Sequence, residues 1–291
     1  METKSNTGDV FNKIILIPTD FSPKCDNAVL QGIQLAEKLH YKVIILHVID
    51  KQNEAILKNA EQGQDCIGLN FHKYKTEFGG KSNVEIETVV RHGSIVSEIL
   101  ALANELKSHL LIFGTDGKHG LEYLFGSHAL KLVLHSPCPV IVVQNRLFEL
   151  AYQNIVLPVK SDIDPRQAVA STLTFSQVFN SKVRLFLSHE TDTSLKNRNR
   201  VISNQIAGEL KNNQIQYTIE EAEGSGDFAL QVISYANVTK SDLIIIVTGT
   251  IGDSFGFNLA GWNEKIMFNQ DQLAVMCVNP VTVGKSEIDW L

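Results

Sequence analysis

Two short stretches carry residue types that could do chemistry. The first, LIPTDFSP (16–23), sets Asp20 behind an apolar run and ahead of a serine–proline pair. A carboxylate there either accepts hydrogen bonds from a ligand or belongs to the start of a helix, with Ser22 as the cap and Pro23 at the first helical position. The second, GTDGKHGLEYLFGSHALKLVL (114–134), has glycines at 114, 117, 120 and 126 and then Gly126-Ser127 opening an apolar-periodic helix through Leu130, Val133 and Leu134. Glycines let backbone amides approach an anion, and a helix start adds unpaired N–H groups and about half a positive charge. Together they hold a phosphate without a lysine, which makes a chemical case for a nucleotide. Read as turns alone, the same segment would need only one or two glycines. His119, His128 and His135 are spaced by nine and then seven residues, which matches no metal-ligand pair. His128, beside Ser127, is within reach of a phosphate held there. Asp116 could assist a magnesium ion bound mainly through phosphate oxygens.

What must position these groups is an internal repeat. IILIPTD (14–20) answers to NIVLPVK (154–160), YKVIILHVI (41–49) to SKVRLFLSH (181–189), SHLLIFGT (108–115) to SDLIIIVT (241–248), and CPVIVVQN (138–145) to LAVMCVNP (273–280). VEIETVV (84–90) has its counterpart in IQYTIEEA (215–222). Apolar, β-branched runs separated by helical segments are the signature of parallel sheets covered on both faces. Each half is expected to be an open five-stranded parallel α/β sheet, giving two tandem domains over 1–148 and 149–291, with the joint near 146–153. In a sheet of order 3-2-1-4-5 a ligand sits beyond the carboxyl ends of the strands, where the order reverses. That crevice opens between the end of strand 1, Pro18-Thr19-Asp20, and the end of strand 4, Gly114-Thr115-Asp116-Gly117.

At these residues the chain resembles the universal stress protein family, in its tandem two-domain form, whose fold is Rossmann-like and related to the adenine nucleotide alpha hydrolases. The family's hallmark is a strand-1 aspartate with a G-x2-G-x9-G-[ST] loop. The resemblance implies ATP or AMP as ligand, with or without magnesium. Asp20 and the Pro18-Thr19 backbone would meet the base, Val48 and Phe113 would flank it, and Gly114, Gly117, Gly126, Ser127 and His128 would serve ribose and phosphates. Between Gly117 and Gly126 stand eight residues, KHGLEYLF, one fewer than the pattern. The second half keeps the fold without the motif. Lys160 replaces Asp20, Val247 and Gly249 stand where Gly114 and Asp116 would be, and Trp262 follows Gly261 where Ser127 follows Gly126. Its phosphate site is expected to be closed.

The rest of the composition narrows the class. The 291 residues are 44% hydrophobic and 20% charged, enough for two buried cores. A net charge of −6 with no Lys/Arg-dense stretch argues against nucleic acid as partner. METKSNTGDVFNK lacks the apolar core of a signal peptide, and no segment approaches the ~18 apolar residues of a membrane span. Four scattered cysteines without CxxC spacing fit reduced thiols and a cytoplasmic protein. The functions in view are a nucleotide-binding stress or regulatory protein with slow or absent hydrolysis, a non-nucleotide adaptor acting through an unknown protein partner, and an adenylating enzyme. No Walker lysine and no general base accompany the glycines, and no second-substrate signature is visible. The last strands, PVIVVQ (139–144) and AVMCVN (274–279), would be hazardous as bare edges, so the two domains are expected to pair through them. A homodimer of the whole chain stays open.

Overall fold

The computed structural model describes residues 13–51, 54, 63–80, 82–115, 125–146, 152–224, 226–249 and 261–280. By its contacts the chain divides after Gly114. Residues 147–151, within the joint read from the repeat, lie outside the described residues.

The first unit is a parallel sheet of β1 (Ile14–Thr19), β2 (Lys42–Ile49), β3 (Ile86–His92) and β4 (Leu110–Gly114), in the order β3-β2-β1-β4. β1, β2 and β4 consist almost entirely of buried Ile, Leu and Val, as strands covered on both faces must. Helix α1 (Pro23–Leu39) begins with proline at its start and ends at His40, whose φ of 58° is a left-handed cap. A Cβ on Gly32 would lie 2.2 Å from Ile17 Cδ1 and 3.6 Å from Ile112 Cδ1, so α1 rests closely on the sheet face that carries those two isoleucines. Side chains alternate along a strand. Thr19 and Gly114 therefore share the α1 face, and so does His47, which is in register with Thr19. Pro18, Val48 and Phe113 turn to the opposite face. Arg91, in register with Val48, forms ion pairs there with Glu98 and Glu105 of α3 (Ile95–Glu105). Helix α2 (Gly63–Lys73) continues into a π-helical turn (Tyr74–Phe78), and Ile67, Phe71 and Tyr74 are buried. Within the polar stretch 51–82, residues 67–74 thus carry an apolar stripe.

The second unit contains α4 (Phe125–His135), β5 (Val140–Val143), β6 (Asn154–Val159), a 3-10 turn (Pro165–Ala168), α5 (Val169–Phe179), β7 (Lys182–Leu187), α6 (Thr193–Asn212), β8 (Tyr217–Glu221), α7 (Phe228–Val238), β9 (Leu243–Val247), α8 (Gly261–Met267) and β10 (Ala274–Val278). Its strands run in the order β5-β10-β9-β6-β7-β8. The five strands of the second repeat follow the 3-2-1-4-5 pattern as β8-β7-β6-β9-β10, all parallel. β5 and β10, the two runs suspected of edge pairing, lie antiparallel with Val142 opposite Val275 and Ile141 opposite Met276. Side-chain amides secure this pairing. Asn279 Nδ2 donates to the carbonyls of Val133 (2.7 Å) and Ser136 (2.9 Å), and buried Gln144 donates to the Asn269 carbonyl at 2.9 Å. Among the described residues no helix is long and apolar enough to cross a membrane.

Candidate functional site

The carboxyl ends of β1, β2 and β4 bring together Pro18, Thr19, Asp20, Val48, Phe113 and Gly114 within the first unit. Thr19 is buried and its polar atoms are engaged by the protein. Its carbonyl accepts from His47 Nδ1 at 2.9 Å, and its hydroxyl accepts from the Phe21 amide at 2.9 Å. The same hydroxyl meets Tyr74 Oη at 3.0 Å. Tyr74 donates its own proton to Asp26 Oδ1 at 2.7 Å, so Thr19 is the donor to Tyr74. Lys73 adds an ion pair to Asp26 at 3.2 Å. Phe21, with a left-handed φ of 63°, lays its ring over His47 with centroids 4.5 Å apart and touches Phe71 and Tyr74. This Thr19–Tyr74–Asp26 network ties the end of β1 to α1 and to the π-helical turn, on the face away from Val48.

Asp20 stands just beyond the strand and is 42% exposed. Its Oδ1 accepts the Ser22 amide at 2.9 Å, closing an Asx turn, and Oδ2 lies 4.0 Å from Lys24 Nζ. Ser22 occupies the N-cap position but makes no side-chain cap bond. The side-chain bond expected of Ser22 as the cap is thus made by Asp20 instead, and the two readings of that aspartate are compatible, because its side chain remains 42% exposed. Burial works to raise the Asp20 carboxyl, but hydrogen bonds from Ser22 and Cys25 and the Lys24 charge outweigh it and hold the group below its ordinary range. Burial, aided by the Asp20 charge, pushes the Cys25 thiol up to about 12.

Gly114 has a packing explanation of its own. A Cβ there would meet the Lys24 carbonyl oxygen at 2.3 Å and its carbon at 2.6 Å. The first turn of α1 thus presses on the tip of β4, and no side chain fits. Gly117, with Asp116 and His119, lies outside the described residues. Gly126 and Ser127 fall in the first turn of α4, and His128 is half-buried in the same helix. His135 is exposed, its Nδ1 donating to the Lys131 carbonyl at 2.9 Å. Among the described residues no cluster of three His, Cys, Asp or Glu side chains could hold a metal ion, and all four cysteines are free thiols. Sequence reasoning missed Phe21, His47 and Tyr74. Tyr74 lies 55 residues from the threonine it binds, and no spacing rule connects them.

The second repeat differs at the corresponding strand ends. Lys160 pairs with Asp162 at 2.6 Å. Trp262 packs edge-on against Phe228, centroids 5.6 Å apart, and Asn263 Nδ2 donates to the Val247 carbonyl at 2.9 Å. The closure expected of the phosphate site concerns the strand-4 side, and the open space of this repeat lies elsewhere. A cavity of about 420 Å³ opens beyond β6 and β7, with Lys160, Ser161, Asp162, Ser188, Glu190 and Phe228 among its lining residues. Trp262 and the lost glycines alter the strand-4 side, whereas the cavity lies on the strand-1 and strand-2 side.

A model of the universal stress protein family matches residues 12–144. A universal stress protein of Methanocaldococcus jannaschii is 31% identical over 151 residues, covering 47% of this chain and 85% of that one. A putative universal stress protein of Staphylococcus aureus is 27% identical over 148 residues, covering 48% and 89%. Among solved structures, a universal stress protein from Archaeoglobus fulgidus superimposes with a TM-score of 0.70 at 13% identity over 91% of this chain and 98% of that one. A putative universal stress protein from Pseudomonas aeruginosa gives 0.62 at 14% identity over 92% and 93%. At such identities these two establish a shared fold.

Proposed function

The chain belongs to the universal stress protein family, and from that premise we propose that its first repeat binds an adenine nucleotide, ATP or AMP, as a regulatory ligand. The observation that carries this reading is Asp20. Its carboxylate is fixed by the Ser22 amide, held below its ordinary pKa, and still partly exposed at the strand ends where ligands of open α/β sheets bind. Such an acceptor suits the amino group of a purine. Pro18, Val48 and Phe113, turned to one face of the sheet, offer an apolar flank. On the sequence pattern, Gly117, Gly126, Ser127 and His128 would serve the ribose and phosphates, with magnesium held mainly by the phosphates. The sequence pattern shows no Walker lysine beside these glycines, and turnover is expected to be slow or absent. The four free thiols fit a reducing, cytoplasmic setting.

The test is calorimetry of the full chain with ATP and with AMP, alongside identification of any nucleotide released when the purified protein is denatured. Asp20→Asn keeps an acceptor for the Ser22 amide while removing the charge, and is expected to weaken binding by about tenfold. Gly126→Trp, which imitates the second repeat, is expected to abolish it. Affinities unchanged in both variants would remove the proposed site. A second reading, an adaptor working through protein contacts, is favoured by Thr19, whose hydroxyl and carbonyl are both committed within the protein. No nucleotide in the purified protein and no heat on titration would select it.

A further inference from the structure

The cavity of the second unit has a chemistry of its own, independent of the nucleotide reading. Each lysine around it already has a carboxylate. Lys160 pairs with Asp162 at 2.6 Å, while His189 Nδ1 and Lys196 Nζ both reach Glu221 at 3.2 Å. Glu190 is the lining carboxylate that forms no ion pair among the described residues. It is held in place nonetheless. Ser188 Oγ donates to Glu190 Oε1 at 2.8 Å, and buried Asn199 Nδ2 donates to Ser188 Oγ at 3.0 Å. The Ser188 amide is bonded to the Val159 carbonyl at 2.9 Å, so the whole relay is anchored to β6. A carboxylate oriented by two successive hydrogen bonds and left without a counter-ion calls for a cationic donor. Apolar surface stands beside it. Leu195 and Phe228 line the same cavity, and Phe228 is braced by Phe186 and Trp262 at centroid distances of 6.0 and 5.6 Å. Two carboxylates against one lysine on the wall disfavour a phosphate, and a volume of about 420 Å³ is that of a small-molecule site.

We propose that this cavity binds a small organic ammonium compound, with Glu190 as counter-ion of the protonated amine and Leu195 and Phe228 against its apolar body. Free amines and amino acids share that chemistry. In an amino acid the carboxylate would turn to Lys160, whose ammonium keeps protons beyond the one given to Asp162.

The test is calorimetry of the full chain with phenethylamine, L-phenylalanine and 3-phenylpropionate, which share a ring and differ in charge. At least one of the two ammonium compounds is expected to bind with a Kd below about 1 mM, and phenylpropionate at least about tenfold more weakly. The tighter of the two ammonium compounds identifies the source. Glu190→Gln is expected to weaken the ammonium ligand by about tenfold or more, and Ser188→Ala, which frees the carboxylate to rotate, by about threefold. Glu190 is partly exposed and its glutamine variant is isosteric, and circular dichroism of both variants checks the fold. Asp20→Asn should leave this binding unchanged, which separates it from the nucleotide site. Phenylpropionate binding as tightly as the amines, a Glu190→Gln variant within twofold of wild type, or no binding by either amine would overturn the assignment.

Discussion

At the end of β1 the chain reaches its helix in three residues, Asp20, Phe21 and Ser22, whereas at the end of β6 five residues, 160–164, and a 3-10 turn intervene before α5. The short link draws the first turn of α1 over the sheet. It forces Phe21 into the left-handed region, a conformation costing about 1 kcal/mol for a residue with a Cβ, and it brings the Lys24 carbonyl against the tip of β4. The longer link has no positive-φ residue among 160–164 and leaves the strand-4 equivalent free to carry Val247, which is buried and unobstructed. Three residues of that link, Lys160, Ser161 and Asp162, line the cavity. The length of one β–α connection thus decides which side chains the strand ends tolerate and where open space remains.

Exchanging the residues at the two strand-4 tips would test this most severely. Gly114→Val places branched carbons against a helix backbone that has no rotamer to change, and is expected to cost about 3 kcal/mol or more in urea unfolding. Val247→Gly, which loses a buried side chain without a clash, is expected to cost about 2 kcal/mol. If Gly114→Val stays within about 0.5 kcal/mol of the parent, the glycine is not there for packing and the contrast between the links fails.

Much of this architecture was legible because it is local. The isoleucine- and valine-rich runs, Pro23 at a helix start and the recurrence of IILIPTD as NIVLPVK each follow from period, caps and repeats over a few residues. The sites resisted wherever the deciding contact is distant in the chain. Gly114 reads as part of a ligand loop until the backbone of Lys24 is placed beside it. The hydroxyl of Tyr74 sits in a polar stretch with no visible role, yet it closes the bond network under Thr19. In the second repeat, Trp262 and the missing glycines bear on the phosphate side alone, because the sequence shows the altered residues but not the space that lies beside the longer link.

The Tyr74 network gives the next effect in size, and among the described residues the second repeat has no π-helical turn to carry an equivalent tie. Tyr74→Phe removes the donor to half-buried Asp26 and the acceptor of buried Thr19, and is expected to cost about 1–2 kcal/mol. Burial, reinforced by Asp26, raises the phenol above its ordinary value of 10.0. The folded state therefore keeps the proton longer than the unfolded chain. Stability from this group is intact below pH ~10 and falls as the pH climbs beyond it, since only the unfolded form then releases the proton. Urea midpoints measured from pH 8 to 11 should show a shallower alkaline decline in Tyr74→Phe than in the parent. Parallel curves would mean that the phenol ionises equally in both states.

The smallest effects on stability are expected at the two residues that differ most between the strand-1 tips. Asp20 and Lys160 are both partly exposed, and their partners, Lys24 at 4.0 Å and Asp162 at 2.6 Å, are near neighbours in sequence. Such pairs contribute little, so Asp20→Asn and Lys160→Gln should each lie within about 0.5 kcal/mol of the parent at pH 7. Their pH profiles should separate them. The Asp20 carboxyl is depressed below its ordinary 3.8, so its contribution is present above that value and is lost as acid protonates the folded state. Asp20→Asn should flatten the acid branch of a thermal-melting profile between pH 5 and 2, in which ~1 unit steps suffice. Lys160→Gln should leave that branch in place. If instead both variants trace the parent curve, the charge at the first strand tip is free of its surroundings, and the contrast with the second tip reduces to link length alone.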